Sequence, residues 1–226
     1  MEIRPPLIQV ALDFATVEES LPVAEAAVKA GCDWLEAGTP LIVAQGVKAI
    51  GAIAKAFPTM PVLADYKAMD SGGKHVLVTQ QQGAHIMTVC AGAADETVKA
   101  AVKAGKETGI LVCADTIGVK DQVKRAKELE ALGVDMIYLH FAADERRAFP
   151  SRDTVPWVAS VLEAVDIPVG VATFEIEDAV AAAKLGADHF SIGHPIVSSE
   201  HTYEKLKRYI DAVRAAHTPR RRAARV

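Results

Sequence analysis

The chain has 226 residues, half of them apolar and 24% charged, with a formal net charge of −4 at pH 7. This balance is ordinary for a soluble globular protein, and the net negative charge argues against a general nucleic-acid binder. The opening MEIRPP has no apolar stretch behind a basic start, and no apolar run is long enough to cross a bilayer, so neither a signal peptide nor a membrane span is read. Cys32, Cys90 and Cys113 form an odd set without CxxC spacing, each in an apolar, strand-like context. Buried thiols in a reducing cytoplasm are the expectation.

From one end to the other, short β-branched runs alternate with longer Ala-, Lys- and Glu-rich stretches of helical character. In chain order, a strand at Ile8–Leu12 precedes a helix near Val17–Ala30, and Trp34–Ala37 precedes Ala44–Ala56. Val62–Tyr66 is followed by Gly73–Gln82, Ile86–Val89 by Asp95–Thr108, and Ile110–Ala114 by Asp121–Leu132. Met136–Leu139 then leads to Val155–Val165, Val169–Ala172 to Ile176–Leu185, and His189–Ile192 to Ser199–Ala216. Thr16-Val17-Glu18-Glu19 reads as a capping box at the first helix, which Pro22 should kink or delay. A small-residue joint recurs four times after helices: Ala30-Gly31-Cys32-Asp33, Gln82-Gly83-Ala84-His85, Leu132-Gly133-Val134-Asp135 and Leu185-Gly186-Ala187-Asp188. A glycine there supplies the left-handed conformation that ends a helix, and the recurrence points to one repeated unit.

Strands apolar on both faces and separated by helices imply a parallel sheet covered by helices. Eight such units favour closure over an open doubly wound sheet, which makes residues 1–216 a single-domain (β/α)8 TIM barrel. The tail 217–226, carrying Arg220, Arg221, Arg222 and Arg225, lacks apolar periodicity. It reads as a disordered, solvated terminus rather than a basic arm for an anionic partner.

In such a barrel, function collects where strands end and the following loops begin. Strand one ends at Asp13, strand two at Glu36, and strand three at Asp65 with Lys67 and Asp70 just beyond; strand five ends at Asp115, strand six at His140 and strand eight at Gly193-His194. Asp13 or Asp115 alone could equally cap the next helix. Solvated surface charge, by contrast, would not be confined to successive strand ends as Glu36, Asp65, Lys67 and Asp70 are. Four acids from the first three strands in one mouth would repel each other, and Lys67 offsets only one of them. A divalent cation with oxygen ligands, most simply Mg²⁺, relieves the remainder. A lone histidine can be a satisfied core residue, but His140 at a strand end opposite the acids reads as a general acid or base.

Leu35-Glu36-Ala37-Gly38-Thr39-Pro40-Leu41-Ile42, Ala64-Asp65-Tyr66-Lys67-Ala68-Met69-Asp70-Ser71-Gly72 and Asp115-Thr116-Ile117-Gly118-Val119 resemble the orotidine-monophosphate-decarboxylase superfamily. The resemblance includes Gly92-Ala93-Ala94-Asp95 and runs from about Leu7 to Ala216. Within the superfamily it is strongest to the 3-hexulose-6-phosphate synthases, with the 3-keto-L-gulonate-6-phosphate decarboxylases second. It implies a homodimer with active sites at the subunit interface and Mg²⁺ bound by Glu36 and Asp65. Lys67 would hydrogen-bond a developing enediolate oxygen, Asp70 would reach the partner's site, Asp13 would contact substrate hydroxyls, and His140 would move a proton at the substrate's first carbon. The implied activity is an aldolase-type lyase joining formaldehyde to ribulose 5-phosphate.

Two departures from the relatives stand out. Where they carry a Gly-Gly pair whose amides bind the substrate phosphate, this chain reads Ala172-Thr173-Phe174; after strand eight it reads Gly193-His194 in place of Gly-Gly or Gly-Arg. Thr173, Gly193 and His194, at the start of the helix after strand eight, are therefore the candidates for the phosphate end. The second departure is Ala143, at the position where the keto-gulonate decarboxylases place an arginine, which leans towards the synthases. Together they leave open decarboxylation of a 3-keto sugar acid 6-phosphate, or the same chemistry on a new or unphosphorylated keto sugar. A non-catalytic binding barrel would not need the charge cluster, and the Glu36 metal pattern disfavours an orotidine-monophosphate decarboxylase proper.

Overall fold

A computed structural model describes residues 3–152, 154–198 and 200–220. Eight strands, β1 (Leu7–Leu12), β2 (Trp34–Ala37), β3 (Val62–Ala68), β4 (Ile86–Cys90), β5 (Leu111–Asp115), β6 (Met136–Leu139), β7 (Val169–Thr173) and β8 (His189–Ile192), pair in parallel and in chain order. The barrel closes where Leu7 of β1 pairs with His189 of β8. Around it run α1 (Val17–Ala30), α2 (Thr39–Gln45), α3 (Lys48–Ala56), α4 (Gly72–Gln81), α5 (Asp95–Thr108), α6 (Gln122–Leu132), α7 (Ala143–Ala148), α8 (Val155–Ala164), α9 (Ile176–Leu185) and α10 (Thr202–Ala216). The expected single-domain TIM barrel is therefore present, and no helix among the described residues is long and apolar enough to cross a membrane.

Three local expectations change. α1 starts at Val17 behind a complete Thr16–Glu19 capping box and carries Pro22 in its interior, so the proline neither delays it nor ends it. The helix expected at Ala44–Ala56 begins only at Lys48, as α3, and an unforeseen helix precedes it: Pro40 opens α2 in its first turn, and Gly46, at φ 72°, ends it. The tail is not free from His217 onward. The Arg220 guanidinium donates to the carbonyls of Leu162, Val165 and Ile167, and His217 bonds the carbonyl of Ala187. A fixed array of donors meets carbonyls left open at the end of α8, which outweighs the tail's lack of apolar pattern. Residues 221–226 lie outside the described residues.

The recurrent joint does more than end helices. Gly31, Gly83, Gly133 and Gly186 all have positive φ, and each precedes an even-numbered strand. Two residues on, Asp33, Asp135 and Asp188 accept from the amides of Ile8, Val112 and Val169, while the His85 ring nitrogen Nδ1 accepts from Val62. Every odd-numbered strand thus has an early amide clasped by the strand that follows it, so the repeating unit is two βα pairs.

Side chains of one parity face the helices, where Ile8, Val10, Leu12, Leu35, Ala37 and Val62 join the main core. The opposite parity fills the barrel, with an apolar plug of Leu7, Trp34, Leu63, Ile86, Cys113, Met136 and Tyr138. His189 is sealed within, its ring 5.3 Å from that of Trp34 and 5.6 Å from that of Tyr138. Its room comes from Gly170, where a Cβ would stand 2.2 Å from the His189 Nδ1. Burial holds the imidazole pKa down at about 3. The neutral ring donates from Nε2 to Gln9 Oε1 at 3.1 Å.

Candidate active site

Continuing the inward parity towards the C-terminal ends of the strands, the barrel interior changes from apolar to polar. Gln9, Glu36, Asp65, Thr88, Asp115 and Ser191 are all buried there. Above them a cavity of about 760 Å³ opens, lined by Asp13, Glu36, Thr39, Asp65, Lys67, Tyr138 and His140, and across the mouth by α7 and the ends of β7 and β8. This is the face at which a barrel of this kind places its chemistry.

Backbone geometry sets Lys67. The β3–β4 register shifts between Ala64 and Ala68, and Lys67 adopts φ 47°, a left-handed conformation that costs a non-glycine residue about 1–2 kcal/mol. The amide of Lys67 donates to Thr88 Oγ1 at 2.9 Å, holding the bulge in place. Its ammonium reaches back onto Asp65 and Thr39, with Asp115 at 3.8 Å on the other side. Asp65 also accepts from Thr39 at 2.6 Å and Thr88 at 2.8 Å.

The two carboxylates expected at a metal diverge in their electrostatics. Burial alone would raise Asp65, but the Lys67 charge and the bonds from Lys67, Thr39 and Thr88 overcome it and hold the acid below its ordinary range. Glu36 is pushed well above its ordinary range by burial, and then by the neighbouring carboxylates of Asp65 and Asp13. Gln9 and Ser191 donate to its Oε2 without cancelling that pressure. The pair is thus one ionised acid already matched by a cation and one acid in want of a cation. Two hard oxygen donors close enough to repel each other suit a divalent cation, which a site of this kind binds through one or two carboxylates.

Asp115 lies beneath this cluster, fully buried. One carboxylate oxygen accepts the Ile117 amide at 2.8 Å, within the turn after β5; the other accepts from His140 Nδ1 at 2.8 Å. The helix-capping role weighed for Asp115 falls instead to Asp121, which accepts the Lys124 amide at the start of α6. Because Nδ1 is occupied, His140 presents Nε2 as the nitrogen able to exchange a proton with a bound molecule. Asp13 stands in a niche between two glycines. A Cβ on Gly38 would come 1.9 Å from its Oδ1, and one on Gly193 3.5 Å from its Oδ2.

Four expected site residues are placed otherwise than the strand ends suggested. Asp70 is exposed on the turn after β3, accepts the Ser71 amide at 2.6 Å, and does not line the cavity. The bulge at Lys67 and the left-handed Ser71, at φ 54°, carry it out of the mouth, so three of the four acids expected there, Asp13, Glu36 and Asp65, line it. Thr173 borders the cavity, but it has the outward parity of β7, and its hydroxyl is committed to Ser191 O at 2.9 Å and to the Tyr209 hydroxyl at 2.6 Å. Gly193 and His194 do line the mouth, yet not at the start of α10. A 3₁₀ turn at Ile196–Ser198 intervenes, and His194 Nδ1 bonds Ser198 Oγ. Thr39, Thr88, Gln9 and Ser191 were missed, although the last three have the inward parity of their strands and Ser191 sits two residues before Gly193. Arg146 and Arg147 on α7, which also line the cavity, carry no sequence signal that separates them from surface charge.

The model of the "Orotidine 5′-phosphate decarboxylase / HUMPS family" matches residues 6–209. The chain is 36% identical to the 3-hexulose-6-phosphate synthase of Mycobacterium gastri over 182 residues, 80% of this chain and 86% of that one. It is 39% identical to the enzyme of that name from Bacillus subtilis over 137 residues, 61% of this chain and 65% of the other. A crystal structure of a 3-hexulose-6-phosphate synthase superposes with a TM-score of 0.85 at 33% identity, covering 94% of this chain and all of that one.

Proposed function

The chain belongs to the orotidine 5′-phosphate decarboxylase / HUMPS family, and from that premise we propose that it is an aldolase-type lyase joining formaldehyde to ribulose 5-phosphate through an enediolate. The observation that carries this reading is the row Asp65–Lys67–Asp115–His140, in which a lysine is held between two carboxylates, one of which also orients a histidine. Such a set moves a proton at carbon and steadies the oxyanion that results.

His140 Nε2 takes a proton from the hydroxymethyl carbon of the ketose phosphate, and the electron pair of that C–H bond moves onto the adjacent carbonyl oxygen. Lys67 Nζ donates to this oxygen as its charge develops. The enediolate carbon then attacks formaldehyde, a C–C bond forms, and the new alkoxide recovers the proton from His140. Asp115 fixes the ring and balances its charge in the intermediate. Asp13, at the mouth between Gly38 and Gly193, faces the substrate hydroxyls. Glu36 and Asp65 would hold Mg²⁺, which when bound adds electrostatic stabilisation at the oxyanion.

The active form is a homodimer in which Asp70 completes the partner's site. Its exclusion from its own cavity supports this, as do the exposed apolar side chains Val43, Met69 and Leu77 on α2, the turn after β3, and α4. Three free, buried cysteines fit a reducing compartment, the cytoplasm. Purified protein assayed with formaldehyde and ribulose 5-phosphate should consume both with Mg²⁺ present and stop after EDTA treatment. Consumption of neither substrate would overturn the reaction, and full activity after EDTA would overturn the metal.

A further inference from the structure

The cavity has two ends of different chemistry. Lys67 belongs to the acid cluster at one end, and the other end is bordered by Ala142–Asp144, Arg146, Arg147, Ala172–Glu175 and Gly193–Pro195. A phosphomonoester brings a charge of about −1.5 to −2 that must be met there. The β7 side is poorly suited to it: the Phe174 side chain lies at the lip, and α9 begins with Glu175, Glu177 and Asp178, whose carboxylates already favour the positive end of that helix. We propose, building on the synthase reading above, that Arg146 and Arg147 of α7 grip the substrate phosphate and set the preference for a phosphorylated sugar.

Both arginines line the cavity and both are held loosely. Arg146 reaches across to Asp178 at 3.5 Å and Glu175 at 3.9 Å, the outer limit of hydrogen bonding, so its fork retains capacity for an anion. Arg147 pairs with Asp144 at 2.5 Å, but the two side chains are 71% and 95% exposed. A solvated i,i+3 pair of that kind contributes little and exchanges readily for a dianion, which a guanidinium binds with two parallel bonds. The helix bearing them is anchored on both flanks. Arg152 pairs with Glu145 at 2.8 Å, and its guanidinium lies 5.5 Å from the ring of Phe141, just before α7, and 5.3 Å from those of Phe149, just after it, and Trp157. α7 therefore presents its arginines over the mouth from a braced position.

The test compares wild type with Arg146→Gln, Arg147→Gln and the double variant, using ribulose 5-phosphate and unphosphorylated ribulose in turnover, and ribulose 5-phosphate and inorganic phosphate in calorimetry. Each single change should lower the kcat/KM preference for the phosphorylated sugar about tenfold, the loss of one charge-assisted contact, chiefly through KM. Binding of inorganic phosphate should weaken in parallel, and Arg→Lys at either position should restore part of it. A role confined to bracing α7 would lower kcat/KM for both sugars together and leave their ratio unchanged, which overturns the proposal. Unchanged phosphate affinity in the double variant overturns it too. If wild type turns over neither sugar, the synthase reading fails by itself, and calorimetry still decides whether the arginines hold phosphate.

Discussion

Replacing His189 with glutamine isolates what it costs to seal an imidazole inside the barrel. The side chain is fully buried between Trp34 and Tyr138, and burial moves its pKa from the ordinary 6.5 to about 3. The native state therefore keeps the ring neutral, while the unfolded chain takes up a proton as pH falls below about 6.5. A depressed folded pKa means that this stability is complete above that point and drains away as pH drops towards 3. At about 1.4 kcal/mol per pH unit, the loss attributable to His189 between pH 7 and pH 5 is about 2 kcal/mol. Glutamine keeps a donor for Gln9 and cannot titrate. Urea unfolding of both proteins at the two pH values gives the result directly, because every other titrating group is shared and cancels. Wild type should lose about 2 kcal/mol more than His189→Gln over that interval. Parallel losses would show that the native barrel accepts the proton, and the argument from burial would fail.

Changing Asp115 to asparagine keeps its volume and its reach to Ile117, but removes the charge that orients and balances His140. In steady-state kinetics with ribulose 5-phosphate and formaldehyde, kcat should fall about a hundredfold or more, and a change under threefold would remove Asp115 from the mechanism. Arg220→Ala strips three carbonyls near the end of α8 of their donor, and thermal or urea unfolding should report a loss of about 2–3 kcal/mol. A loss under 0.5 kcal/mol would mean that the tail rests on the barrel without stabilising it. Mixing inactive Asp70→Ala with inactive Lys67→Ala chains should restore up to about a quarter of wild-type activity, since a two-fold pair can rebuild one intact site per mixed dimer. No recovery between chains shown to exchange subunits would place Asp70 outside the partner's site.

The barrel was legible because its determinants are local. Alternating apolar runs, the capping box at Thr16 and Glu19, and the glycines at 31, 83, 133 and 186 act within a few residues of themselves, so each strand and most helices could be read in order. The period of two carried further than was used. It places Gln9, Thr88, Asp115 and Ser191 inside the barrel with Glu36 and Asp65, and it turns Thr173 outward. What no local pattern contained was the relation between strands. The shifted register after Ala64 folds Lys67 back onto Asp65 and carries Asp70 out of the mouth, although the Asp-x-Lys-x-x-Asp spacing reads as one cluster. The Asp115–His140 bond joins residues 25 apart in sequence, and the divergence of Glu36 from Asp65 depends on which carboxylate the single nearby ammonium touches. The arginines of α7 line the mouth on a helix flanked by the rings of Phe141 and Phe149, over both of which Arg152 lies, contacts that chain order does not reveal. Residue types and their periodicity determined the architecture and which strand ends bear charge. Tertiary structure alone decided which charges meet, because Coulomb and hydrogen-bond energies turn on ångström separations that chain order does not specify.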